Sequence, residues 1–227
     1  MPALDRVCRE AEQAIDDGWT HYGPSAGLMQ AREAVCRYFA KDRGIEYTPD
    51  EIVLTPGGKP IIFFSLLALV NPGDEVLYPN PGFPIYESQI KFHGGIPVPY
   101  ATIPGKENFT FDLDALEAAI TEKTRLLIVN DLHNPTSAEC SSQDRRRIAA
   151  LAVKHNVGVL LDEAYYDIRY GSTSASIISE PGMAERSVIL YTFSKRYAMT
   201  GWRLGAALGP RDIIEVIVKL NVNDESC

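Results

Sequence analysis

Lys195 and Arg203 stand eight positions apart in the stretch Tyr191-Thr-Phe-Ser-Lys195-Arg-Tyr-Ala-Met-Thr-Gly201-Trp-Arg203-Leu-Gly205. The stretch continues an apolar run, Ser187-Val-Ile-Leu-Tyr-Thr, that has the composition of a buried strand. A lysine nucleophile needs surroundings that withdraw its charge from water. An anionic ligand needs a fixed cation, and arginine supplies one with a planar fork of donors. Taken alone, the two are ordinary solvated charges, as most lysines and arginines are.

Four further stretches place chemically capable residues just after strand-like runs. Thr55-Pro-Gly-Gly-Lys59-Pro60 joins a strand to a helix. Gly57 and Gly58 let the backbone approach an anion, and the helix N-terminus offers free N–H groups. The same residues serve equally as a plain turn, and no Gly-x-x-x-x-Gly-Lys-Ser/Thr loop is present. Pro79-Asn-Pro-Gly-Phe83-Pro-Ile-Tyr86 carries a ring, Phe83, able to stack on a flat heteroaromatic ligand or to pack in the core. Asn130-Asp-Leu-His-Asn134-Pro135-Thr136-Ser137 is polar turn material. Val159-Leu-Leu-Asp162-Glu163-Ala-Tyr165 ends a buried run on a carboxylate, which must be paired to stay charged there. A protonated ring nitrogen, a magnesium ion or a ribose are all suitable partners.

These residues need a scaffold that brings strand ends together. Short β-like runs at Glu51–Thr55, Glu75–Tyr78, Arg125–Asn130, Val157–Leu161, Ser187–Thr192 and Gly205–Gly209 alternate with helical patterns. The helices are expected over Leu4–Ile15, Pro60–Val70, Ser141–His155 (capped by Ser141) and Asp212–Leu220. The alternation predicts an α/β fold with a mostly parallel central sheet flanked by helices.

The five stretches, in this order, closely resemble the class I/II aminotransferases, the aspartate-aminotransferase-like enzymes of fold type I that use pyridoxal 5'-phosphate. The resemblance covers nearly the whole chain. It implies that Lys195 carries the cofactor and moves a proton once desolvation and nearby cations have lowered its pKa. It implies that Gly57, Gly58 and Lys59 cradle the phosphate, with Arg203 clamping it and the Thr192 and Ser194 hydroxyls bonding it. Phe83 is then the residue stacked on the ring, Asp162 the partner of the ring nitrogen, and Asn134 and Tyr165 the partners of the phenolic oxygen. His21-Tyr22-Gly23-Pro-Ser-Ala-Gly27 matches a segment whose tyrosine, here Tyr22, reaches the neighbouring subunit's phosphate, which implies a homodimer. The family turn reads Asn-Pro-Thr-Gly, whereas Ser137 stands in the last place here. The reaction implied is amino-group transfer between an α-amino acid and a 2-oxo acid.

Residues 1–18 read as an N-terminal helix, a remnant of the small-domain or hinge region, and 19–227 as a cofactor-binding large domain that is incomplete at its C-terminus. The small domain, with its substrate-carboxylate arginine, is expected to be largely absent. Two other readings follow: a truncated chain that binds the cofactor and dimerises without turnover, and a β-lyase or decarboxylase of the same fold. A serine hydrolase is a more distant one, because Gly23-Pro-Ser25-Ala-Gly27 matches Gly-x-Ser-x-Gly. The polar stretch before Ser25 lacks the strand a nucleophile elbow needs.

Bulk properties narrow the class further. The 227 residues are 45% hydrophobic and 23% charged with net charge −8, which suits a soluble globular protein able to bury a core. The only basic run, Arg145-Arg146-Arg147, reads as a solvated helix face, so nucleic-acid binding is not expected. Cys8, Cys36, Cys140 and Cys227 are scattered and read as reduced thiols of a cytoplasmic protein. No metal-ligand spacing, signal peptide or membrane-spanning run is seen.

Overall fold

The computed structural model describes residues 2–105, 108–170 and 175–225. Among the described residues, nine strands occur in the order β1 Ile52–Thr55, β2 Glu75–Pro79, β3 Ile96–Tyr100, β4 Thr102–Pro104, β5 Phe109–Phe111, β6 Thr124–Asn130, β7 Gly158–Asp162, β8 Ser187–Thr192 and β9 Gly205–Leu208. The α-helices among the described residues are α1 Asp5–Asp16, α2 Met29–Arg43, α3 Lys59–Leu69, α4 Ile85–Phe92, α5 Leu113–Ala119, α6 Ser142–Lys154, α7 Phe193–Arg196 and α8 Arg211–Asp224.

Seven strands form one sheet in the order β1-β9-β8-β7-β6-β2-β3. The neighbours from β3 across to β8 are parallel, and β9 runs antiparallel to both β8 and β1. Alternation along each strand sends side chains to two separate cores. Leu127, Val129, Val159, Leu161 and Ile189 face Val35 and Phe39 of α2 and Ile148 and Leu151 of α6. Leu126, Ile128, Leu160, Val188 and Leu190 face Ile61, Ile62 and Phe64 of α3, Ile90 of α4 and Ile217 of α8. Covering both faces explains why these strands read as unbroken apolar runs.

All six expected strands and all four expected helices are present, with ends shifted by a few residues. Ser141 caps α6 in a reciprocal box, accepting from Asp144 N at 3.1 Å while Asp144 Oδ2 accepts from Ser141 N at 2.9 Å. The seventh strand of the sheet, β3, contains Pro97 and Pro99. Proline cannot donate to a ladder, which argues against a strand in sequence but is tolerated at a sheet edge, where β3 lies.

The basic triplet on α6 departs from the solvated face expected. Arg145 is buried and donates to the Cys140 carbonyl at 3.2 Å, and Arg147 pairs with Asp114 and Glu117 at 2.6 and 2.9 Å. Only Arg146 of the three is exposed. Ser25 lies in a turn with no strand before it, so the hydrolase elbow is not built. The described cysteines, Cys8, Cys36 and Cys140, are unpaired, and Cys227 lies outside the described residues. Among the described residues no helix is long and apolar enough to cross a membrane, and no group of ligating side chains could hold a metal ion.

Candidate active site

The parallel register sets Asn130 beside Asp162 and Asp162 beside Leu190, so β6, β7 and β8 end along one edge of the sheet. In open α/β sheets the carboxyl ends of the strands form such a crevice. Two adjoining cavities of about 240 and 130 Å³ lie there and share Phe83, Asp162, Ala164 and Lys195. A larger apolar groove of about 450 Å³, lined by Tyr38, Leu54 and Tyr191 among others, contains none of the expected site residues. Its chemistry is that of packing, so the smaller cleft is the candidate site.

One end of the cleft gathers cationic side chains at a helix N-terminus. The Gly57-Gly58 turn leads from β1 into α3, whose N-cap Gly58 makes no side-chain capping bond. The first N–H groups of the helix and its dipole therefore face this end. Arg203 packs directly over Gly57: a Cβ added there would come within 2.2 Å of the guanidinium. Arg203 donates to the carbonyls of Thr200 at 2.9 Å and Pro56 at 3.4 Å, which hold the fork in place. Lys59, Ser194, Lys195 and Thr200 complete the wall. Thr192 lines the same cavity, and its hydroxyl caps α7 by accepting from Ser194 N at 3.2 Å and donates to Leu204 O at 3.5 Å.

Gly57 also has φ +89°, which a side chain rarely adopts. Gly57→Ala is therefore expected to lower stability by about 1–2 kcal/mol in urea unfolding. It will also displace Arg203 and weaken binding of inorganic phosphate about tenfold, a loss on the scale of one charged hydrogen bond. Unchanged phosphate affinity would separate Arg203 from the anion site.

The other end is built around a buried carboxylate. Asp162 is 5% exposed. Tyr86 donates its hydroxyl to Asp162 Oδ2 at 2.5 Å, and Ala164 N donates to Oδ1 at 3.1 Å. Burial nevertheless pushes the Asp162 carboxyl above the ordinary range, against the pull of these two donors, and Glu163 adds to the rise. The same burial holds Tyr86 protonated, so it acts as donor. Phe83 meets Tyr86 edge to face at 5.8 Å. Asn130, at the end of β6, donates from Nδ2 to the Asp162 carbonyl at 2.9 Å and accepts from Asn134 N at 2.8 Å. It thus fixes the Asn134 turn to the β7 end. Ser137 in that turn has φ +57°, the left-handed conformation in which serine costs roughly 1–2 kcal/mol.

The cleft brings together Gly58, Lys59, Phe83, Asn134, Asp162, Tyr165, Thr192, Ser194, Lys195 and Arg203, with Gly57 beneath Arg203. Lys195 stands at the junction, its Nζ 5.2 Å from the Tyr165 ring centroid. Lys195 is exposed, so the withdrawal from water expected of it is not supplied by this chain alone. Tyr22 is 89% exposed and lines neither cavity. Tyr86 and Asn130 take roles that local sequence does not mark: nothing local shows that a tyrosine on one helix will meet a strand end 76 residues away, or that Asn130 will reach the Asp162 carbonyl.

A mostly parallel seven-stranded sheet with polar side chains gathered at its strand ends is an open α/β architecture, in which ligand crevices lie at those ends. The chain belongs to the aminotransferase class I and II family, whose model matches residues 3–223. It is 38% identical over 209 residues to the putative aminotransferase YugH of Bacillus subtilis, covering 92% of this chain and 54% of that protein. It is 39% identical over 225 residues to aromatic-amino-acid aminotransferase 2 of Thermococcus litoralis, covering 98% of this chain and 58% of the relative. The structure of N-succinyldiaminopimelate aminotransferase from Mycobacterium tuberculosis superposes with a TM-score of 0.97 at 31% identity, over 100% of this chain and 59% of that one. The chain thus spans little more than half the length of the relatives it matches.

Proposed function

We propose that this chain forms the cofactor-holding part of a pyridoxal-phosphate-dependent aminotransferase acting on an α-amino acid and a 2-oxo acid. The observation that carries the reading is the convergence of Lys195, Asp162, Asn134, Tyr165 and Arg203 on one cleft. The donor set fits the cofactor group by group. Arg203, Lys59 and the start of α3 suit the phosphate, and the buried acceptor Asp162 suits a protonated ring nitrogen. Asn134 and Tyr165 suit a phenolic oxygen, Phe83 suits the ring face, and the Lys195 amine suits an aldehyde.

When bound, the cofactor supplies an electron sink for the pair left on the substrate carbon after proton loss. The protein's part is positional and protonic. Arg203 and the α3 N-terminus fix the anionic end, so orientation is set before chemistry. Asp162, held by Tyr86 and Ala164 N, provides negative charge where the ring nitrogen needs it. Lys195 Nζ is placed to take the proton from the substrate's α-carbon and to deliver it to the carbon on the far side of the amino nitrogen, two atoms away.

Burying Lys195 is assigned to a second subunit, whose Tyr22 would reach the anion end, making the working form a homodimer. Residues 1–18 are assigned to a separate small-domain or hinge unit, consistent with α1 having no buried residue. The dispersed cysteines favour a cytoplasmic setting.

Pyridoxal phosphate added to the purified chain, followed by borohydride and peptide mapping, tests the cofactor site. Label concentrated at Lys195 is the expected result. Label spread over surface lysines would sink the reading for this chain.

A further inference from the structure

Behind the cleft, on the α2 side, lies a buried charge cluster that takes no part in the roles above. Glu163 follows Asp162 and is 4% exposed. Its Oε2 accepts from Arg43 Nε at 3.0 Å, and its Oε1 accepts from the Ser176 hydroxyl. The Arg43 side chain is fully removed from solvent. Its guanidinium lies 3.8 Å from the Tyr166 ring centroid and 4.5 Å from that of Phe39. Arg43 also donates to the Tyr38 hydroxyl at 3.1 Å and to Asp42 at 2.9 Å. Tyr38 in turn donates to Asp167 at 2.7 Å and accepts from Arg196, which pairs with Asp167 at 2.8 Å.

None of Tyr38, Arg43, Glu163, Asp167 and Arg196 lines either cavity of the cleft. Two of them are chain neighbours of residues that do: Glu163 of Asp162, and Arg196 of Lys195. We infer that Arg43 is a positioning residue: with Tyr38 it ties the turn after Asp162 to the turn that carries Lys195, and so fixes the spacing of these two groups. The inference rests on the proposed function only in taking Asp162 and Lys195 as the working pair.

The physical case has two parts. Arg43 bridges two segments at once because its fork donates in two directions while its face stacks on rings, which lysine cannot reproduce. Its anchor is firm, since α2 packs Phe39 at 0% exposure into the core and ends on a left-handed Gly44. Arg43 also pairs with Glu163, the neighbour whose charge adds to the rise at Asp162. A buried ion pair adds little net stability over an apolar replacement, but removing one partner leaves a costly lone charge. The structure therefore gives this pair a geometric task beyond stability.

Hydrogen–deuterium exchange on the unliganded chain tests this without the cofactor. In Arg43→Met, amides of 162–168 and 193–197 are expected to exchange at least about tenfold faster, the scale of one charged hydrogen bond. Those of 75–92, outside the network, are expected to stay unchanged. Unchanged exchange at 193–197, or equal acceleration across the whole sheet, would overturn the inference. Should Arg43→Met fail to fold, Tyr38→Phe keeps the ring and removes only the hydroxyl. It is expected to speed 193–197 alone among the sheet-edge segments besides 165–168, and no change there would overturn the inference equally.

Borohydride labelling then separates the two proposals. Wild-type chain that shows the exchange pattern but takes no label at Lys195 would sink the functional reading and leave the tie standing. Labelled wild type with uniform exchange in the variant would sink the tie alone.

Discussion

Lys195→Ala is expected to abolish borohydride-trapped attachment of pyridoxal phosphate and to slow the amino-acid half-reaction by at least about 10³-fold, within the range for loss of a proton-transferring group. Stability is expected to change by less than about 0.5–1 kcal/mol, the value of the exposed contact between Nζ and the Tyr165 ring that is lost. Lys195→Arg is the sharper control. It keeps a cation in the same turn, yet a guanidinium neither forms the covalent link nor gives up its proton near neutrality. Equal loss in both variants assigns the effect to the amine, whereas retained labelling on Lys59 would move the reacting amine to the other lysine of the cleft. Activity measured with the chain alone will understate the wild-type rate if a second subunit is needed to cover Lys195, so the ratio of rates is the quantity to compare.

The strand ends were legible in sequence because the chain marks them twice. An unbroken apolar run signals a strand buried on both faces, and a polar residue at its end signals the edge of the sheet. Asp162 after Val159-Leu-Leu and Thr192 after Ser187-Val-Ile-Leu-Tyr follow this pattern. The Gly57-Gly58 turn was legible because Pro60 and the apolar run after it announce a helix start.

What was not legible depends on tertiary partners. Helix α2 buries Arg32 and Arg43 along with Val35 and Phe39, so its buried face is partly charged and its apolar periodicity weak. Only Gly44 and the basic last turn mark its end. The prolines of β3 hid an edge strand. The Thr192 hydroxyl also serves as the N-cap of α7, a role that becomes visible only once the short helix after β8 is placed. Lys195 is exposed in the folded chain, and no local pattern around it distinguishes an exposed lysine from a dry one.

Asp162→Asn is expected to separate function from stability. The half-reaction should fall by at least about 10²-fold, the scale for removing one preorganised electrostatic group. The fold should hold within about 1 kcal/mol. Asparagine preserves shape, its carbonyl can still accept from Tyr86, and the loss is the bond from Ala164 N. The sign of the pH dependence follows from burial. The folded carboxyl sits above its usual value of 3.8, so the folded state holds the proton more tightly than the unfolded chain. That contribution to stability is complete below 3.8 and is lost as pH rises through the raised folded value. Urea unfolding across this window should show wild type losing stability relative to Asp162→Asn as pH rises, so the variant overtakes it, while Asp131, whose carboxyl burial pushes up to about 6, titrates in both. A variant that is instead markedly weaker at neutral pH would mean that Asp162 is stabilised as an anion by the protein's own groups. Pyridoxal phosphate should reverse the order. A protonated ring nitrogen repays the buried charge of aspartate but not of asparagine, so added cofactor stabilises wild type more, by mass action, and the crossing point moves.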